Sequence, residues 1–137
     1  MTTVYLNGAY VDKERALIPV EDRGFTFGDG IYEGVRAIRG RLFQWDAHAA
    51  RMAHGLAGLR IAFDATQVAA LGDVCARLIR DNRLDDSEAF LYLAVTRGAP
   101  PRGTAGERKA ARSSRPVSPL SRAHTSPSAA ASGASKA

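Results

Sequence analysis

Apolar and polar positions change period several times along the first hundred residues. Val4-Tyr5-Leu6 and Tyr10-Val11 flank Asn7-Gly8. Asn-Gly between apolar runs predicts a two-residue hairpin, because both residues tolerate positive φ. Phe25 to Gly30 is glycine-rich and reads as a turn or short helix. Tyr32 to Ile38 alternates as a strand, Arg39-Gly40 turns it, and Arg41 to Gln44 returns. Asp46 can cap a helix of about three turns. That helix aligns Ala49, Met52, Leu56 and Leu59 on one face. Asp64 or Thr66 can start a second helix, with a stripe of Val68, Leu71, Cys75, Leu78 and Ile79 and a stop at Asn82. Ala89 to Thr96 is a continuous apolar run of strand length, which predicts a central strand covered on both faces. Strands, two helices and a strand predict a small α+β domain, an antiparallel sheet with two helices on one face. No internal repeat is visible.

This patterning stops near residue 102. Residues 103–137 contain no Phe, Tyr, Trp, Ile, Met or Cys, and their large aliphatics are Val117 and Leu120. Such a segment buries too little surface to offset its ordering entropy, so a disordered tail is expected. The domain is therefore assigned to 1–102 and the tail to 103–137. A natural basic tail and an out-of-frame read of a GC-rich gene both account for this composition. The abruptness of the change favours the second, a frameshifted or unrelated segment.

Charge follows the same boundary. The chain has 137 residues and a net charge of +5. Residues 1–102 hold 13 Lys+Arg and 13 Asp+Glu, whereas residues 103–137 hold six and one. The basic excess lies wholly in the tail, which carries no interleaved aromatics for base stacking, so nucleic acid is not an expected partner. No window approaches the roughly 18 consecutive apolar residues of a membrane span, and the N-terminus has no signal-peptide pattern. One cysteine, Cys75, precludes an intrachain disulfide, and a cytoplasmic setting is expected. Its place on an apolar stripe marks it as a small buried hydrophobe. No CxxC, HExxH or acidic calcium loop suggests a metal site. Gly28-Asp29-Gly30 lies in neither a GxxxxGK nor a GxGxxG context and reads as a tight turn.

Three blocks carry more information. Arg23 to Glu33 (RGFTFGDGIYE) resembles the RGxxFGDGxYE signature of fold-type-IV, pyridoxal-phosphate-dependent aminotransferases, nearest to the D-amino-acid transaminases. His48 and Arg51-Met52 resemble that family's H-x-x-R helix. Val95 to Arg102 (VTRGAPPR) resembles its VTRGxxPR segment. The resemblance covers residues 3 to 102 and none of the tail. It implies that Arg51 holds the cofactor phosphate, a role suited to a guanidinium fork. It implies that Tyr32 lines the substrate pocket and that Arg102 belongs to a trap for the substrate carboxylate. One position departs: a histidine follows the last arginine by two residues in that branch, and this chain has Thr104.

The resemblance further implies pyridoxal 5′-phosphate as cofactor, an amino acid and a 2-oxo acid as substrates, and a homodimer in the intact family. The family's Schiff-base lysine belongs to a later, larger domain. Lys109 and Lys136 stand in no matching context. The expectation is a D-amino-acid aminotransferase cut off before its catalytic lysine and inactive as this chain. A fragment of a branched-chain aminotransferase or an aminodeoxychorismate lyase is the alternative within the class. A non-catalytic, self-associating module is the alternative outside it.

Overall fold

The structure is a computed structural model that describes residues 1–100 and the backbone of 119–125. Arg102 lies outside the described residues, and so do Lys109 and Lys136. The chain begins with the expected hairpin. Strand β1 (Thr3–Leu6) pairs with β2 (Ala9–Asp12) through Asn7 and Gly8, whose φ angles are 54° and 88°. A single 3-10 turn, Lys13–Arg15, follows. Next come a five-residue helix α1 (Arg23–Phe27), strand β3 (Gly30–Ile38) and the short return β4 (Arg41–Leu42). Helices α2 (Trp45–Gly58) and α3 (Ala65–Asp81) precede strand β5 (Glu88–Thr96) and strand β6 (Pro119–Thr125). The strands form one sheet in the order β2-β1-β6-β5-β3-β4, and every pairing is antiparallel.

The core lies between one face of this sheet and the two long helices. Val35 and Ala37 of β3 and Ala89, Leu91, Leu93 and Val95 of β5 meet Met52 and Leu56 of α2 there. Val68, Leu71, Cys75, Leu78 and Ile79 of α3 complete it, as their helical spacing predicts. Each fully buried Val, Leu, Ile or Met side chain contributes roughly 1.5–3 kcal/mol. Asp64 starts α3 with a reciprocal capping box: it accepts from Gln67 N at 2.9 Å, and Gln67 Oε1 accepts from Asp64 N at 2.9 Å. Asn82 ends α3 and ties it to the hairpin, accepting from Thr3 N and donating to Thr3 O, both at 2.9 Å.

Four expectations need correction. Asp46 does not cap α2: Gln44 occupies the N-cap position in a left-handed conformation, and Asp46 sits within the first turn. The cause is the early end of β4 at Leu42, which starts the helix sooner and lengthens it to 14 residues. The carboxylate of Asp46 still favours the positive end of the helix dipole. Leu59 leaves the apolar face because it is the C-cap of α2, and it is partly exposed.

Strand β5 is covered by helices on one face only. Its buried residues alternate, and Tyr92 on the other face is 39 % exposed. A continuous apolar run does not distinguish a doubly covered strand from a strand with an uncovered aromatic face.

The tail is not wholly without structure, because residues 119–125 form β6 between β1 and β5. Composition spoke only to side-chain burial. The unpaired main-chain groups of β1 and β5 accept a strand of almost any sequence.

Candidate functional site

Alternation along β3 sends successive side chains to opposite faces of the sheet. Glu33 shares the helix-covered face with Val35 and Ala37, and only 4 % of it is exposed. An isolated buried carboxylate is costly, so it needs partners. Helix α2 supplies two from one face at i and i+3. Arg51 donates to Glu33 Oε1 from Nε and to Oε2 from Nη2, each at 2.6 Å. His48 Nδ1 lies 2.9 Å from Glu33 Oε2. A nitrogen so close to a carboxylate oxygen carries the proton, so His48 donates from Nδ1. Arg51 Nη2, 3.3 Å from the same nitrogen, is then a neighbour and not a donor to it.

The Arg51 hydrogen bonds are the largest influence on Glu33, and they hold its carboxyl below the usual glutamate range against the opposing effect of burial. The carboxylate in turn raises Arg51 further above its ordinary value. Glu33 takes one edge of the guanidinium, formed by Nε and Nη2. The other edge, formed by Nη1 and the second Nη2 proton, faces outward. Nη1 has no hydrogen-bond partner among the described residues, and the Arg51 side chain is 69 % exposed. That free edge has the two-donor geometry that a phosphate group accepts.

Tyr32 sits next to Glu33 but points to the opposite face. Its ring stacks on Tyr92 of β5 at 5.4 Å between centroids. Both tyrosines line a recess of about 320 Å³, together with Ile18, Phe25, Ala94 and Thr96. Tyr32 and Arg51 are therefore not in contact. They flank the same stretch of β3, whose outer edge has no strand partner before Ala37 among the described residues.

A third cluster joins the first and last motif blocks. Asp22 caps α1 by accepting from Gly24 N at 2.8 Å, and its other oxygen accepts from Thr96 Oγ1 at 3.1 Å. Arg23 N donates to Gly98 O at 2.7 Å. Asp29 accepts from Arg23 Nε at 2.7 Å and from Arg97 Nε at 2.8 Å. Burial pushes the Asp29 carboxyl up, but the hydrogen bonds from Arg97 and Arg23 outweigh it and leave it below its ordinary value. Arg97 also donates to Leu59 O and Arg60 O, which close the end of α2. Gly28 supplies the left-handed residue, φ 65°, that ends α1. The Gly28-Asp29-Gly30 turn thus organises the loop through Asp29.

Sequence reasoning singled out Arg51 and Tyr32 but assigned no partner to Glu33, His48, Asp29 or Tyr92. One signal was available for Glu33. Its period-two alignment with Val35 and Ala37 places an acid on the core face, and such an acid requires a cation. Cys75 is fully buried, and burial pushes its thiol up to about 12, which suits a packing role.

This arrangement belongs to a known class. The amino-transferase class IV family model matches residues 30–135, and the chain belongs to that family. The match extends past Arg102, where the motif resemblance stops. A D-alanine aminotransferase of Staphylococcus haemolyticus is 37 % identical over 102 residues, covering 74 % of this chain and 35 % of that protein. A hypothetical aminotransferase from Mycobacterium tuberculosis, solved in its PLP-bound form, superposes with a TM-score of 0.68 at 19 % identity. That likeness covers 92 % of this chain and 40 % of the other. The Escherichia coli branched-chain amino acid aminotransferase gives a TM-score of 0.74 at 18 % identity, covering 91 % and 40 %. The chain thus spans about a third of the length of the curated relatives it matches. Pyridoxal phosphate is the cofactor of the class IV family. Among the described residues, no helix is long and apolar enough to cross a membrane.

Proposed function

We propose that this chain is the phosphate-holding part of an aminotransferase that moves an amino group between an amino acid and a 2-oxo acid. The outward edge of Arg51, anchored from behind by Glu33, is the observation that carries the reading. Arg51 would hold the phosphate of pyridoxal phosphate through Nη1 and Nη2. When bound, that cofactor supplies the electron sink that lets an amino acid lose its α-proton. Tyr32, on the other side of the open edge of β3, would offer its phenol to the substrate carboxylate. Arg102 is proposed as a second contact to that carboxylate. Likeness to a D-alanine aminotransferase at 37 % identity favours D-amino acids as the substrate class. A branched-chain preference is the second reading, favoured by 38 % identity over 95 residues to a putative branched-chain-amino-acid aminotransferase of Methanocaldococcus jannaschii.

By itself, the chain is proposed to be catalytically silent. Lys13 is the only lysine among the described residues. It follows β2 at the far edge of the sheet, four strand spacings from β3, or about 19 Å. No ammonium there reaches a cofactor held by Arg51.

The test is a fluorescence titration with pyridoxamine 5′-phosphate, whose amine forms no Schiff base with surface lysines. The full chain should bind it at least about tenfold more tightly than the Arg51→Ala variant, the scale of one bidentate charge-assisted contact. Equal affinities would remove the reading. Turnover of D-alanine with 2-oxoglutarate by the purified chain would overturn the silence.

A further inference from the structure

Glu33 has no assigned part in the reading above, yet it is the most buried charged side chain near Arg51. It lies at the helix-covered face, 4 % exposed, while its partner is 69 % exposed. This asymmetry runs against the usual surface ion pair, in which two mobile chains meet in water. Here the carboxylate is fixed by the strand, and the cation reaches back to it from α2. Both carboxylate oxygens are used by the guanidinium, and Oε2 also accepts from His48 Nδ1. Three donors on two oxygens hold the carboxylate in one orientation. The bidentate contact then fixes the plane of the guanidinium and the direction of its free edge.

We propose that Glu33, oriented by His48, is a positioning residue that presents the Nη1–Nη2 edge of Arg51 to a phosphate group. The inference rests on the reading of Arg51 as the phosphate ligand. Two opposite effects of Glu33 on a phosphate can be separated by sign. As a nearby anion it repels the phosphate, and through that field alone its removal would tighten binding. As a positioning group it orders a long side chain in advance, and its removal would loosen binding. A free arginine side chain loses its rotamer freedom when it binds, so ordering it beforehand is worth up to about tenfold in affinity. The repulsion is blunted because the Glu33 carboxylate is already paired with Arg51 and accepts from His48. Ordering therefore outweighs the field.

The competing idea is that Glu33 merely holds α2 against the sheet. A structural role would weaken every ligand alike or lower stability alone. Positioning is specific to the phosphate. The discriminating quantity is the phosphate preference, the ratio of the dissociation constants of pyridoxamine and pyridoxamine 5′-phosphate. It cancels any general loss of the pocket.

The experiment measures that preference by fluorescence titration for the full chain, Arg51→Ala and Glu33→Gln, with a thermal melt of each variant. The glutamine side chain is isosteric but turns an amide toward a guanidinium donor, so the bidentate contact is lost. Arg51→Ala should abolish the preference, and Glu33→Gln should reduce it about threefold to tenfold. If Arg51→Ala leaves the preference unchanged, the reading of Arg51 itself fails. If Arg51→Ala abolishes it while Glu33→Gln leaves it unchanged or increases it, Arg51 stands and the positioning role of Glu33 is overturned. Should Glu33→Gln fail to fold, Glu33→Asp takes its place: the shorter carboxylate keeps the charge but not the reach to both Nε and Nη2, so it should reduce the preference likewise, and an unchanged preference would overturn the proposal.

Discussion

Asp29 is held by two arginines from two motif blocks, Arg23 Nε at 2.7 Å and Arg97 Nε at 2.8 Å. These arginines are 74 residues apart in sequence, and one carboxylate joins them. Arg97 extends the join to the carbonyls of Leu59 and Arg60 at the end of α2. The helix that carries His48 and Arg51 is thereby fixed to the glycine-rich turn. Asp29→Asn keeps the shape and removes the charge. It should destabilise the fold by about 1.5–3 kcal/mol, the range for hydrogen bonds to a charged group, in chemical denaturation. A change below about 0.5 kcal/mol would show that the clasp is incidental. Arg97→Lys should also be destabilising, because one ammonium cannot reproduce a fork that serves a carboxylate and two carbonyls at once.

Acid should weaken the fold through two carboxylates. Glu33 and Asp29 both lie below their ordinary values of 4.5 and 3.8. Groups with depressed folded values contribute stability that is complete above the ordinary value and disappears as pH falls through the folded value. Stability measured by denaturant melts should therefore be flat above about pH 5 and fall steadily below about pH 4.5. Glu33→Gln should flatten the upper part of that fall. Added salt should erode the share of Glu33 more than that of Asp29, since Arg51 is far more exposed than Arg23 or Arg97. A Glu33→Gln profile parallel to that of the unmutated chain would contradict the assignment.

Two glycines on β3 should respond differently to a methyl group. A Cβ on Gly30 would lie 2.6 Å from Val95 O and 2.9 Å from Thr96 Cα, both on the backbone of β5. Neither can move without breaking the strand pairing. A Cβ on Gly34 would instead meet the tip of the Phe90 ring, side-chain atoms and not the backbone of β5. Gly30→Ala should cost about 1–3 kcal/mol, the overpacking range, and Gly34→Ala distinctly less. Thermal melts of both variants compare them directly, and the reverse order would contradict the packing of β3 on β5.

Strand β6 predicts an exchange pattern. With β3 on one side and β6 on the other, successive amides of β5 from Ala89 to Val95 should all be protected from hydrogen exchange. Were 119–125 unpaired, every second amide of β5 would face solvent and exchange quickly. Native-state exchange by NMR distinguishes the two patterns residue by residue.

Much of the fold is legible because it depends on neighbours in sequence. Asn7-Gly8 encodes its own turn, the stripe from Val68 to Ile79 encodes the buried face of α3, and Asp64 caps it from three residues away. Gln44 is illegible in the same terms, because the early end of β4 starts α2 there, and no helix signal marks it. The site is legible only in its outline. Arg51 and Tyr32 stand out through a family resemblance, but Glu33 meets its partners across 15 and 18 residues. Asp22 meets Thr96 across 74 residues. Such contacts arise from tertiary pairing and leave no local pattern. Strand β6 is hidden for another reason: main-chain pairing imposes little demand on the side chains that carry it.

Arg51 competes for phosphate with the six cations of residues 103–137. A ¹⁵N NMR titration of the full chain with inorganic phosphate separates these locations. Binding at Arg51 predicts saturable shifts at Glu33, at His48 and at Arg51, including its side-chain Nε, that are absent in Arg51→Ala. Shifts confined to residues 103–137, with α2 and β3 unmoved, would contradict it.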